Sequence, residues 1–236
     1  MQPELNNAFP DAMMEECMKS DMKNNVFFVS GIDTNVGKSY AAGWIASQWN
    51  RSGVRTITQK LVQTGNDDVS EDIELHRRIM GMDLLEEDRL GLTMPEIYTY
   101  PCSPHLAAEI DGRPIDFGRI DAATARLSEE YDAVLLEGAG GLMVPLTRSL
   151  LTIDYIAENG YPLIFVTSGR LGSISHTLLG LEAVRSRNMR LKALVFNMFP
   201  KEEDMTIADD TRAYLMEHIA REFPDAEFLT VPEIAL

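Results

Sequence analysis

The sequence predicts an α/β fold, a three-layer α/β/α sandwich in which helices cover both faces of a central, mainly parallel sheet. Two observations carry this expectation. Short β-branched or aromatic runs alternate with longer segments of helical spacing. Several of those runs, such as Ala133, Val134, Leu135 and Leu136, are apolar throughout, which requires cover on both faces of the sheet.

The first strand is expected at 26–30, where Val26, Phe27, Phe28 and Val29 run together before a glycine-bearing loop and a helix at 38–49. A second strand at 55–59 is followed by a helix at 71–80, whose first turn holds the acidic Glu71, Asp72 and Glu74. Ser103 before Pro104 marks the entry of a helix at 104–110, and Gly112 its exit. Helical spacing at 120–130 leads to the apolar strand at 133–136, and a short helix at 153–158 stops at Gly160. A strand at 163–167 enters a helix at 174–187, whose end carries Arg185, Arg187, Arg190 and Lys192, a favourable charge at a helix C-terminus. A strand at 192–196, a helix at 206–222 and a strand at 227–231 continue the alternation.

At 236 residues the chain should bury about 70% of its unfolded surface, enough for one core. No repeat or long linker marks a second domain, so residues 25–236 are read as a single domain. Residues 1–24 form a polar, Met-rich extension. Phe9, Met13, Met14, Cys17 and Met18 share a helical face, compatible with a short helix packed on the body or with a disordered arm. With 45% apolar residues the composition excludes wholesale disorder, and no apolar run approaches the roughly 20 residues of a membrane span. The N-terminus has neither a basic nor an apolar leader region, so a cytoplasmic protein is expected. A net charge of −16 disfavours nucleic-acid partners. Cys17 and Cys102 supply neither a disulfide framework nor a zinc knuckle.

The most informative segment is Gly31, Ile32, Asp33, Thr34, Asn35, Val36, Gly37, Lys38, Ser39, followed by Tyr40. Glycines let backbone N–H groups converge on phosphate oxygens, the helix N-terminus adds positive partial charge, Lys38 is a mobile cation, and Ser39 can ligate Mg²⁺. Five residues separate Gly31 from Gly37, one more than the strict P-loop pattern. Glu137 sits at the carboxyl end of an apolar strand, where such sheets place ligands and where a Walker B acid belongs; the run Gly138, Ala139, Gly140, Gly141 follows. On residue type alone Asp72 reads as a first-turn acid and Lys60 as a solvated strand end. His76, His105, His176 and His218 have no i, i+4 partner, so no imidazole-based metal site is expected. Ser175 and His176 are adjacent on a helix and do not face each other, so no serine hydrolase is proposed.

Taken together, the long loop, Lys60 with Thr64 and Gly65, Asp72, Ser103-Pro104-His105, Glu137 to Gly141, Pro145-Leu146, Gly172, Ser175-His176 and Asn197 resemble the dethiobiotin synthetase family over about residues 25–233. The resemblance implies a P-loop NTPase-like fold and an ATP-dependent ring closure: 7,8-diaminononanoate, CO₂ and ATP give dethiobiotin, ADP and phosphate. It implies Lys38 on the β- and γ-phosphates and Lys60 on the carbamate as the catalytic cations, with Ser39, Asp72 and Glu137 as the Mg²⁺ ligands. ATP contacts would come from Asn35, Val36, Gly37, Lys38, Ser39 and Tyr40, and from Gly138, Ala139 and Gly140. Asn197 would read the adenine edge beside Met198, and Val231, Pro232 and Glu233 would add a final nucleotide contact. Thr34, Thr64 and Gly140 would meet the diamine or carbamate. The helix opening Leu171, Gly172, Ser173, Ile174, Ser175 would hold the substrate carboxylate across a homodimer interface. Asn35 departs from the family, which commonly has an acidic residue there. A related P-loop amidoligase with another substrate and an ATP-switched partitioning ATPase are the alternatives; the second is disfavoured because Ile32, Asp33 and Thr34 stand where such proteins carry an early lysine.

Overall fold

The computed structural model describes residues 25–199 and 205–234. The helical face read at 9–18 lies outside the described residues. Six strands form one sheet in which every pairing is parallel: β1 (Val26–Gly31), β2 (Thr56–Lys60), β5 (Ala133–Gly141), β6 (Leu163–Ser168), β7 (Leu191–Asn197) and β8 (Glu227–Val231). Their spatial order is β2-β5-β1-β6-β7-β8. The two-residue strands β3 (Gln63–Thr64) and β4 (Ile97–Tyr98) pair apart from this sheet, and are too short to show a period.

Alternate residues of each strand enter different cores, as an apolar run covered on both faces must. Phe27 and Val29 of β1, Leu135 of β5 and Val166 of β6 pack against Tyr40, Ala41, Trp44 and Trp49 of α1 (Lys38–Arg51). Phe28, Leu136 and Phe165 face the opposite core. There they meet Ile120 and Leu127 of α5 (Phe117–Glu130), Ile153 and Ile156 of α6 (Thr152–Asn159), and Leu181 and Val184 of α7 (Ser173–Ser186). Leu215 and Ile219 of α8 (Met205–Glu222) complete that side. Removing one such large side chain to Ala costs about 3–5 kcal/mol.

Helix α2 (Glu71–Met80) starts at Ser70, whose side chain accepts from the Ile73 N–H, and ends at Gly81 with φ 72°. The guanidinium of Arg77, fully buried, donates to both Asp88 carboxylate oxygens at 2.9 and 2.8 Å and to Thr58 Oγ1 at 2.7 Å, fixing α2 to β2. Asp88 belongs to the single turn α3 (Glu86–Arg89), which was not expected because four residues cannot show helical spacing. Helix α4 (Pro104–Ile110) enters through Ser103 and Pro104 as expected. The strand predicted to end at 136 instead runs to Gly141: β2 pairs with it as far as Glu137, and beyond an irregularity in the β1 register Gly31 pairs with Gly141, so β1 holds glycines of poor strand propensity in the strand. Among the described residues no helix is long and apolar enough to cross a membrane.

Candidate active site

The carboxyl ends of β1, β2 and β5 meet at one cleft of about 720 Å³. Its wall includes Thr34, Asn35, Gly37, Lys38, Ser39 and Tyr40 from the loop after β1, Lys60 and Thr64, Asp72, and Glu137, Ala139 and Gly140. The loop bends through two left-handed residues, Asn35 at φ 60° and Gly37 at φ 88°. Asparagine, like aspartate, is one of the few side chains that tolerates this region. At Gly37 a Cβ would also collide with the Asn197 amide.

Parallel register places Lys60 beside Glu137 on neighbouring strands. The Lys60 ammonium donates to Glu137 Oε1 at 2.7 Å and to the Gly138 carbonyl at 3.3 Å, and pairs with Asp72 Oδ2 at 2.5 Å. Burial pushes Lys60 down, but the charges of Glu137 and Asp72 outweigh it and raise the ammonium above the ordinary lysine range. For Glu137, burial pushes the carboxyl up, and Lys60, the hydrogen bond and charge of His76, and Lys38 together hold it well below the usual range. Lys38 donates to the Asp33 carbonyl at 3.1 Å. Burial lowers its ammonium to about 8, with the charge of Lys60 acting in the same direction against Glu137, Asp72 and Asp33.

Ser39 Oγ lies 2.7 Å from Asp72 Oδ1 and 2.8 Å from Glu137 Oε1. One hydroxyl proton cannot serve both contacts, so three hard oxygens converge with one short approach left unprotonated. This donor set fits Mg²⁺, which takes one or two carboxylates and completes its shell with waters and phosphates. Asp72 is therefore more than a first-turn acid: α2 aims it at Ser39 and Lys60.

Not every expected residue lines the cleft. Val36 and Val231 are buried, and Met198, Pro232 and Glu233 stand outside its wall, as does Gly138, which contributes its carbonyl to Lys60. The Asn197 amide donates to the Val36 carbonyl at 3.0 Å and the Phe199 carbonyl at 2.6 Å, and accepts from the Phe199 N–H at 3.2 Å. It braces the phosphate loop and retains one lone pair on Oδ1. Tyr40 stacks on Phe199 at 4.5 Å, and its hydroxyl bridges both backbone groups of Ile234. The segment Leu171, Gly172, Ile174 and Ser175 lines a separate hollow with Thr206 and Ile207, and Ser173 is buried.

Sequence reasoning missed two contributors. His76, set aside as a histidine without a partner, places Nε2 2.8 Å from Glu137 Oε2. The available signal was its position one turn after Asp72 on the same helix face. Arg170 pairs with the Asp33 carboxylate at 2.5 Å, tying the loop before α7 to the phosphate loop and lowering the Asp33 carboxyl.

A parallel sheet with a phosphate loop after β1 and an acid at the end of an adjacent strand defines a P-loop nucleotide-binding protein. The family model described as an AAA domain matches residues 25–228. The chain is 46% identical over 203 residues to the ATP-dependent dethiobiotin synthetase BioD 2 of Pasteurella multocida, spanning 86% of this chain and 95% of that one. It is 52% identical over 176 residues to that of Haemophilus influenzae, and 50% identical over 200 residues to the BioD of Chlorobaculum tepidum. These spans are 75% and 85% of this chain and 92% and 83% of those proteins. The chain belongs to the ATP-dependent dethiobiotin synthetase family. Among solved structures, pNOB8 ParA bound to nonspecific DNA superposes with a TM-score of 0.51 at 13% identity, covering 89% of this chain and 86% of that one. That likeness is one of fold.

Proposed function

We propose that the chain performs the reaction named for its family: 7,8-diaminononanoate, CO₂ and ATP yield dethiobiotin, ADP and phosphate in biotin biosynthesis. One amine nitrogen adds to CO₂ and loses a proton, forming a carbamate. A carbamate oxygen takes the γ-phosphoryl group, releasing ADP, and the second amine closes the cyclic urea with loss of phosphate. Carbamate and triphosphate are both anions, so the protein's task is positioning and charge neutralisation.

The observation that carries this reading is the buried Lys60, held between Asp72 and Glu137 in the wall of the cleft that the phosphate loop also lines. In this reading Lys38 meets the β- and γ-phosphates, and the loop N–H groups after Gly37 hold the triphosphate. Lys60 neutralises charge on the carbamate, and Thr34, Thr64 and Gly140 line its place. Ser39, Asp72 and Glu137 would hold Mg²⁺, which when bound supplies the two positive charges that two lysines and two carboxylates do not leave over. Asn197 would offer its remaining lone pair to an exocyclic base amine.

The same reading makes the protein a cytoplasmic homodimer. The 171–175 segment expected to hold the substrate carboxylate stands apart from the cleft, and Leu171 and Leu179 beside it are 86% and 67% exposed. A second copy brought against this side would cover them.

Purified protein mixed with diaminononanoate, labelled bicarbonate and Mg·ATP is expected to form labelled dethiobiotin. ATP hydrolysis with another acid and no labelled product would defeat the substrate assignment.

A further inference from the structure

We infer that His76 is a positioning residue for Glu137: it occupies one carboxylate oxygen so that the other stays turned to Ser39 and Lys60. The inference rests on the magnesium reading above. Glu137 is fully buried, and its two oxygens have different neighbours. Oε1 receives Lys60 Nζ at 2.7 Å and lies 2.8 Å from Ser39 Oγ, whereas Oε2 has the imidazole Nε2 of His76 at 2.8 Å. Since the carboxylate is ionised and accepts only, the hydrogen-bond network assigns the proton to Nε2.

His76 is itself fully buried, and its Nδ1 has no hydrogen-bond partner among the described residues. An imidazole sealed in a core with one unsatisfied nitrogen costs free energy that an apolar side chain of similar volume would avoid. Its single polar contact among the described residues is the one to Glu137, so packing does not account for the residue type. Geometry gives the contact its use. A carboxylate with both oxygens free would rotate to give Lys60 two acceptors and would disperse the oxygens that converge near Ser39. With Oε2 bound, rotation is blocked.

The scaffold supports this placement. Asp72 and His76 lie one turn apart on α2, so the helix that brings one carboxylate to Ser39 also brings the group that orients the other. Close approach of α1 fixes their level: a Cβ on Gly43 would lie 3.1 Å from His76 Cα and 3.1 Å from Ile79 Cβ.

Partners that orient a metal-binding side chain typically change metal affinity or activity about 10–100-fold when removed. The test titrates binding of AMPPNP, a non-hydrolysable ATP analogue, by calorimetry at stepped MgCl₂ and in EDTA, alongside turnover. His76→Leu is expected to raise half-saturating magnesium at least about tenfold and to lower kcat. AMPPNP binding in EDTA should stay as in the unsubstituted protein. His76→Gln, whose amide nitrogen reaches about as far as Nε2, should recover most of the loss, whereas the shorter His76→Asn should not. Should His76→Leu fail to fold, the Gln and Asn pair decides. Unchanged magnesium dependence in His76→Leu, or equal defects in the Gln and Asn variants, would overturn the inference alone. Indifference of the unsubstituted protein to magnesium would overturn it together with the metal reading.

Discussion

Replacing Lys60 by Ala removes the only ammonium bonded to both Asp72 and Glu137 among the described residues. The two carboxylates remain, both within 2.8 Å of the single Ser39 hydroxyl and one of them fully buried. Removing one partner of a buried pair costs about 3–5 kcal/mol, chiefly from the charge left behind. For a domain of this size that is a fall of roughly 6–20 °C in Tm. The sign with pH follows from the shifts. Glu137 is held below its ordinary value, so its share of stability is present above the unfolded carboxyl value of about 4.3 and is lost as pH falls through the folded one. Lys60 is raised, so its share is full below about 10.4 and is lost as pH rises through the folded value. The penalty for Lys60→Ala should therefore be largest near pH 7 and shrink on acidification as the orphaned, buried Glu137 protonates. Magnesium at about 100 times its dissociation constant should return roughly 2.7 kcal/mol. Urea unfolding of both proteins at pH 7 and pH 4.5, with and without MgCl₂, measures all three effects. A midpoint at pH 7 equal to that of the unsubstituted protein, or a penalty identical at both pH values, would refute the coupling.

Two further predictions concern groups on either side of this cluster. Lys38, lowered to about 8 by burial, should be largely neutral in the free protein at pH 9; triphosphate binding should then take up a proton, and affinity should weaken as pH rises through 8. Calorimetry with AMPPNP in two buffers of different ionisation enthalpy reads this uptake, which Lys38→Met should abolish along with turnover; no uptake at pH 8.5 would contradict the effect of burial. Arg77→Met should cost about 3–5 kcal/mol by leaving Asp88 buried and unpaired, and should lower activity because α2 carries Asp72 and His76. A urea midpoint within error of the unsubstituted protein would count against that anchor.

Much of the frame was legible in the chain. Apolar runs without alternation announce strands covered on both faces, and Phe27 and Phe28 do enter opposite cores. The loop from Gly31 to Ser39 announces phosphate chemistry because its needs are local: glycine at a left-handed turn, then a lysine and a hydroxyl at a helix start. Glu137 was found by the same local logic, an acid ending an apolar run. Elements of two to four residues, β3, β4 and α3, left no periodic trace.

The composition of the site was another matter. Glu137 is met by Ser39, His76 and Lys60, which stand 98, 61 and 77 residues away in the chain. Spacing along one helix or strand encodes which residues share a face, but it does not encode strand order, and it is the placement of β5 between β2 and β1 that sets Lys60 beside Glu137. His76 looked isolated for that reason, since its partner lies on another element. Residues 171–175, read in the sequence as holding the substrate carboxylate across a homodimer interface, follow β6 and line a hollow of their own. The chain alone determined the sheet, the phosphate loop and the acid beneath it, because those follow from chemistry between near neighbours. Folding alone decided which distant charges share one buried space, because that is settled by how layers stack.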